Sequence, residues 1–346
     1  MFREFGGPEP APPNSPDRAD FNSRAIELLR HSSRRIANLT AEWIRVGFCQ
    51  GNFNSDNCLV GGRTMDYGPF GFMEKYARSW NMWKDSGDHF SFRNQPVAGG
   101  RNFYSLAKSV ALLLNDADDK DEVQRILSSH EIIAQEAVNN IYRQKLGLKN
   151  WTEQAADVFQ RIDDLMEESG ADYTLFWRQL ATIPETLLKS ETSSAPDTWS
   201  DDALFASLKD VVFYKPLSAE LEAAWKSMLR RWLGLVSAEV MAAVIAASDE
   251  NNEEKKVEVG EEDRALSVSR RAAKVSAEMR RVSPKYVPRE WMLVEAYKAA
   301  EQKDFSAVLK LQQVFKSPYD ELPQFESAYY RRMPDEMERN GVTCMT

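Results

Sequence analysis

The sequence predicts a mainly α-helical chain, and three observations carry that prediction. Apolar residues recur at helical spacing: Ala25, Leu29, Ile36, Leu39, Trp43 and Val46 fall on one face of a long first helix, and Leu106, Val110 and Leu113-Leu114 on another. Strand-like character is confined to two short arms, Cys58-Leu59-Val60 and Arg63-Thr64-Met65, with at most one more short pair elsewhere. Breaks between the periodic stretches are polar, such as Asp116-Ala117-Asp118-Asp119.

Taken in order, residues 1–20 hold five prolines, two adjacent glycines and mixed charge, and read as a leader without fixed structure. Asn22-Ser23 is the expected N-cap of the first helix. After the arms comes an irregular aromatic segment, from Tyr76-Ala77-Arg78-Ser79-Trp80 to Asn81-Met82-Trp83. It is either a docking surface or a loop held down by its own tryptophans. Helices are then predicted over about 121–146, 152–168, 173–183, 201–208 and 218–247. Residues Asp249 to Asp263 carry eight acidic side chains against two lysines, which predicts a solvated loop. Helices resume over about 264–281, 288–302 and 304–315.

The 346 residues fit one large domain or two smaller ones, at roughly 100–200 residues each. A hydrophobic content of 43% suffices for a substantial core. The net charge of −9 argues against a general nucleic-acid or anionic-membrane binder, because either needs a basic face. The longest apolar stretch, around Val240 to Ala247, is too short for a membrane span and predicts a buried helix. The opening Met1-Phe2-Arg3-Glu4-Phe5 resembles neither a signal nor a transit peptide. Cys49, Cys58 and Cys344 make no disulfide framework or zinc spacing. His31, His89 and His130 are scattered, as surface or packing residues would be.

The informative stretch runs from Val46 to Phe72. Gly61-Gly62 is a two-residue connection that accepts positive φ, so a tight hairpin is predicted. Counting outward, Val60 faces Arg63, Leu59 faces Thr64, Cys58 faces Met65 and Asn57 faces Asp66. Opposed residues lie roughly 4.5–5.5 Å apart, which brings a carboxamide and a carboxylate together. Both are hard oxygen ligands for a magnesium ion that keeps waters for substrate phosphates. Asp56 points elsewhere and is available as a base. The alternative is that Asn57 and Asp66 are ordinary turn and cap residues. The order of parts favours the metal. A helix, a polar loop ending in Asp-Asn, a hairpin and then Asp-x-Gly reproduce the catalytic and magnesium loops of protein kinases. Gln50-Gly51-Asn52 stands where the usual His-Arg-Asp would be, so Asp56 would serve as the base from four residues later.

Asn54-Ser55-Asp56-Asn57, Asp66-Tyr67-Gly68-Pro69-Phe70-Gly71-Phe72 and Phe90-Ser91-Phe92-Arg93-Asn94-Gln95-Pro96 resemble the selenoprotein O family. The likeness continues through Asp172-Tyr173-Thr174, Phe176-Trp177-Arg178 and Pro284-Lys285-Tyr286 to Ser317-Pro318-Tyr319-Asp320 and Cys344. It implies a kinase-like C-terminal lobe with a short catalytic hairpin and a helical C-terminal extension. Residues 21–115 would carry the catalytic and magnesium loops, and 116–346 the helical remainder. It further implies a protein adenylyltransferase that moves AMP from ATP to Ser, Thr or Tyr hydroxyls of other proteins. Asn57 and Asp66 would hold magnesium, Asp66 would also meet the nucleotide, and Asp56 would take the hydroxyl proton. A mitochondrial location follows if the source is eukaryotic.

Several features depart from the family. No glycine-rich loop or strand lysine precedes the first helix; Lys75 is the first lysine, and Gly6-Gly7 lies in the leader. Half of a nucleotide cleft is therefore expected, with weak ATP binding. Many eukaryotic members end in Cys-x-x-selenocysteine, and this sequence stops at Cys344-Met345-Thr346. Either the stop is a selenocysteine codon or a cysteine-bearing homologue ends there. Met82 lies near the position where bacterial relatives place a second cysteine. Against the enzyme stands a non-catalytic pseudokinase scaffold, with ordinary phosphorylation a third possibility.

Overall fold

The computed structural model describes residues 18–68, 70–83, 88–189, 192–195, 198–252 and 261–335. It is mainly helical. By contacts the chain divides into two compact units. The first takes residues 1–44, 48–71 and 81–139, and the second takes 45–47, 72–80 and 140–346. Residues 1–17, the centre of the acidic stretch (253–260) and Cys344 lie outside the described residues, while 18–20, predicted as the end of the unstructured leader, are already helical.

The first unit is built on α1 (Arg18–Val46), α2 (Gln95–Ala111) and the greater part of α3 (Ala117–Lys145). Ala25, Leu29, Ile36, Leu39 and Trp43 are all buried, as the periodicity of α1 predicts. Leu29 and Ile36 meet Phe103, Ala107 and Val110 of α2 and Val123 and Ile126 of α3 in one core. His130 packs there too, stacked on Phe103 at 4.7 Å and hydrogen-bonded to Ser33 Oγ at 2.9 Å. Burial holds its pKa below the ordinary value. Asn22 is not the N-cap. It lies inside α1, buried, and its Nδ2 donates to Asp119 at 2.7 Å and to Asp116 at 3.2 Å. These bonds tie α1 to the start of α3.

In the second unit, α4 (Glu153–Ser169) is capped by Thr152 and closed by Gly170 in the left-handed region. The single helix predicted over 173–183 is two, α5 (Tyr173–Leu180) and α6 (Ile183–Leu187). Pro184 explains the break, because it has no N–H to continue the ladder and sits in the first turn of α6. Next come α7 (Asp201–Lys209), α8 (Ala219–Asn252), α9 (Glu261–Val282), α10 (Glu290–Glu301) and α11 (Ser306–Lys316). A short α12 (Pro323–Tyr329) was not foreseen. Helix also takes both ends of the acidic stretch predicted as loop, since α8 reaches Asn252 and α9 starts at Glu261. Trp177, Trp225, Trp232 and Trp291 are fully buried and dominate the interior.

Charge is buried there as well. The Arg289 guanidinium is 2% exposed; it bonds Asp172 at 2.6 and 2.8 Å and Glu74 at 2.5 Å. Tyr214 donates its hydroxyl to Asp172 at 3.0 Å. Asp172 also caps α5, accepting from Leu175 N at 2.9 Å. One arginine thus faces two carboxylates. Burial pushes Glu74 up to about 7, with the Asp172 charge adding and Arg289 opposing.

Two outcomes follow. Arg289→Met leaves both acids buried without a cation and is expected to cost about 3–5 kcal/mol in urea unfolding at neutral pH. Because folding raises the Glu74 pKa from its ordinary 4.5 to about 7, its contribution is whole below the lower value and lost as pH rises through the upper one. Stability should fall across that window, and Glu74→Gln should flatten the fall.

Candidate active site

The segment between α1 and α2 is held by the aromatic end of the helix. Trp43 packs edge-on against Phe53 at 4.7 Å and Phe48 at 5.6 Å. Its Nε1 donates to Thr64 Oγ1 at 2.9 Å. Asn102 of α2 donates to the Phe53 carbonyl at 2.9 Å. Ser55–Asn57 then forms one 3-10 turn, with Asp56 exposed and Asn57 half-buried.

The arms pair in a different register from the predicted one. Cys58, not Leu59, bridges Thr64, and no further pair extends the ladder. The glycines explain the slip. Only Gly62 takes positive φ (+63°), whereas the two-residue hairpin turns need it at the first glycine alone (type II′) or at both (type I′). Gly62 N donates to Leu59 O at 2.9 Å, so Leu59 to Gly62 make the turn and Gly62 forms a bulge. A Cβ on Gly62 would also stand 2.5 Å from the Arg35 carbonyl oxygen. Asn57 and Asp66 therefore do not meet as opposed strand residues.

Instead both are tied to the loop at 50–52. Asn57 Nδ2 donates to the Asn52 carbonyl at 2.8 Å. Gln50 Nε2 donates to the backbone carbonyl of Asp66 at 2.7 Å. The Asp66 carboxylate, exposed, caps its own turn by accepting from Gly68 N at 2.8 Å. Among the described residues no three or more His, Cys, Asp or Glu side chains converge as a metal cage. Cys49 is buried and its thiol is pushed up to about 12 by burial; Cys58 rises to about 11 for the same reason. Neither is an activated thiolate.

Behind the loop lies a residue that sequence reasoning quoted but gave no role. Gln95, the first residue of α2, is fully buried. Its Oε1 accepts from Gln50 N at 3.1 Å, and its Nε2 donates to Phe90 O at 2.7 Å. Cys49 N donates to Gly71 O at 2.8 Å, which closes the loop on the far side of Asp66. Gly71 has to be glycine, since a Cβ there would overlap Met82 and the Cys49 carbonyl. Met82 thus packs on the loop at Gly71. Phe70, at φ 59°, holds a conformation that costs a non-glycine residue roughly 1–3 kcal/mol.

A helix, a polar Asp-Asn loop, a bulged turn and an Asp-led turn thus hold Asp56, Asn57 and Asp66 around residues 50–52. A family model described as "Protein adenylyltransferase SelO" matches residues 15–316, and the chain belongs to that family. It is 30% identical to a "Protein nucleotidyltransferase YdiU" of Burkholderia multivorans over 94% of this chain and 55% of that protein. It is 28% identical to one from Flavobacterium johnsoniae over 87% of this chain and 51% of that protein. The chain therefore spans about half the length of the curated relatives it matches. No described helix is long and apolar enough to cross a membrane.

Gln95→Leu removes both ends of the buried amide bridge and leaves Gln50 N and Phe90 O without that partner. The expected cost is about 1–3 kcal/mol, together with faster amide exchange at residues 50–57 and 66–71. Unchanged exchange there would mean that Gln95 does not hold the loop.

Proposed function

We propose that this chain is the catalytic-loop portion of a protein adenylyltransferase, built like a kinase C-terminal lobe. Asp56 is the base, and Asn57 and Asp66 carry the metal and nucleotide side of the site. The observation that supports this most is the shared anchoring of Asn57 and Asp66 on residues 50–52. A single rigid loop then fixes a side-chain amide and a carboxylate on either side of a bulged turn.

The donor chemistry suits magnesium. Asn57 has its nitrogen committed to Asn52, so its oxygen is the atom left to offer a hard cation. Asp66 spends one carboxylate oxygen on Gly68 N and retains the other. Two protein oxygens are few, as expected of an ion completed by water and substrate phosphates. When bound, magnesium would neutralise phosphate charge.

The remaining chemistry belongs to the chain and its substrates. Asp56, exposed beside the loop, accepts the proton of a Ser, Thr or Tyr hydroxyl on an incoming protein. The hydroxyl oxygen bonds to the α-phosphorus of ATP, the bond to the β-phosphate bridge breaks, and pyrophosphate departs. Gln50 and Gln95 act as positioning residues by fixing the backbone on which these groups stand. Fixed positions supply most of the acceleration, and the base contributes about 10²–10⁴-fold.

The chain is incubated with magnesium, a Ser/Thr/Tyr-rich acceptor protein and ATP labelled at either the α- or the γ-phosphate. Label retained from the α position alone is expected. Label from γ alone would make the chain a kinase, and label from neither would make it a scaffold. Asp66→Ala should abolish the signal, and Asp56→Asn should lower kcat by about 10²–10⁴-fold with little change in KM for ATP.

A further inference from the structure

The second unit contains a groove of about 520 Å³ that the reaction above does not use. It is formed wholly within that unit, by the end of α3, the following loop, α8 and α9. That volume falls in the range of ligand-binding clefts.

Its floor is apolar. Leu148 and Val240 are buried, and Val275 and Val282 of α9 are half-buried. Its rim is basic. Arg271, Lys274 and Arg281 lie along one face of α9, spaced three and seven residues apart, and Lys149 stands opposite. Arg143 builds the wall, with Nη1 donating to Leu148 O at 2.7 Å and Lys149 O at 3.1 Å. Arg271 and Arg281 make no ion pair with a described residue, and Lys274 reaches Glu278 only at 3.9 Å. On a chain with 53 acidic and 44 basic side chains, this is a local reversal of sign rather than background.

Two acids refine the ligand class. Glu239 accepts from Lys149 N at 2.8 Å, and Glu278 lies between Lys274 and Arg281 on α9. A continuous phosphate backbone would run past both and be repelled. Spaced carboxylates can settle on the cations and leave the positions beside both acids to an apolar side chain. We propose that the groove is a docking site for an acidic peptide segment of a partner protein. An apolar side chain would seat on Leu148, Val240 and Val275, and its carboxylates would meet Arg271, Lys274 and Arg281. This docking does not depend on the catalytic assignment of Asp56, Asn57 or Asp66.

Fluorescence anisotropy with a short labelled peptide, two leucines flanked by Asp and Glu, tests it on the whole chain. Binding is expected, weakening as salt is raised. The double variant Arg271→Glu, Arg281→Glu should weaken it at least about tenfold. The milder Arg271→Gln, Arg281→Gln pair guards against misfolding and should weaken it in the same direction with an unchanged melting curve. Replacing the leucines by serine should also weaken binding. No binding, or binding indifferent to both double variants, overturns the site. Equal competition by inorganic polyphosphate, with the leucines irrelevant, overturns the peptide in favour of a simple polyanion.

Discussion

The primary amide of Gln50 is the part on which the candidate site depends. Its nitrogen holds the Asp66 carbonyl, its oxygen faces Asn52 N at 3.3 Å, and its own backbone N–H is received by buried Gln95. An amide offers a donor and an acceptor at once, so it can bridge two backbone segments without adding charge. Gln50 is 4% exposed, and a buried polar group left without partners is costly. The loop is therefore held in one arrangement. The bridge is uncharged, and the carboxylates nearby keep their exposure to solvent.

The second unit solves the same problem with charge. Arg289 is surrounded by Asp172, Glu74 and Tyr214, and Asp172 simultaneously starts α5. A planar guanidinium can meet one carboxylate in bidentate fashion and still reach a second. Elsewhere Arg178 donates to the carbonyls of Arg280, Ser283 and Tyr319 and pairs with Glu321, which Lys285 also contacts. These links join α5 to segments more than a hundred residues later. They make the unit's fold a matter of long-range polar pairing as well as of tryptophan packing.

Local signals were legible and distant ones were not. The stripe of α1 follows from helical spacing alone, and Ala25, Leu29, Ile36, Leu39 and Trp43 are buried accordingly. Asn22 was mistaken for a cap because its partners, Asp116 and Asp119, lie more than ninety residues away. The hairpin register failed for a subtler reason. Gly61-Gly62 states that positive φ is available but not which glycine takes it, and the approach of the Arg35 backbone singles out Gly62. Gln95 stood in plain view within Phe90 to Pro96, yet nothing in a sequence pairs it with Gln50, 45 positions earlier. The Asp-Asn and Asp-x-Gly blocks stood out as contiguous motifs, but their spacing did not give the register that holds them.

The corrected register changes how the candidate residues are held. In the predicted ribbon, the separation of Asn57 from Asp66 was fixed by cross-strand spacing, and twisting the ribbon would have moved both together. In the structure a single bridge joins Cys58 to Thr64, and each ligand candidate is anchored separately to residues 50–52. One anchor runs through a side chain, Asn57 Nδ2 to Asn52 O, and the other through the Asp66 backbone carbonyl, while the Asp66 carboxylate is oriented by Gly68 N. Such an arrangement tolerates a change of length or sequence in the turn, because the turn no longer sets the distance. It is correspondingly intolerant of change at Gln50, the one side chain that both halves of the loop need in place.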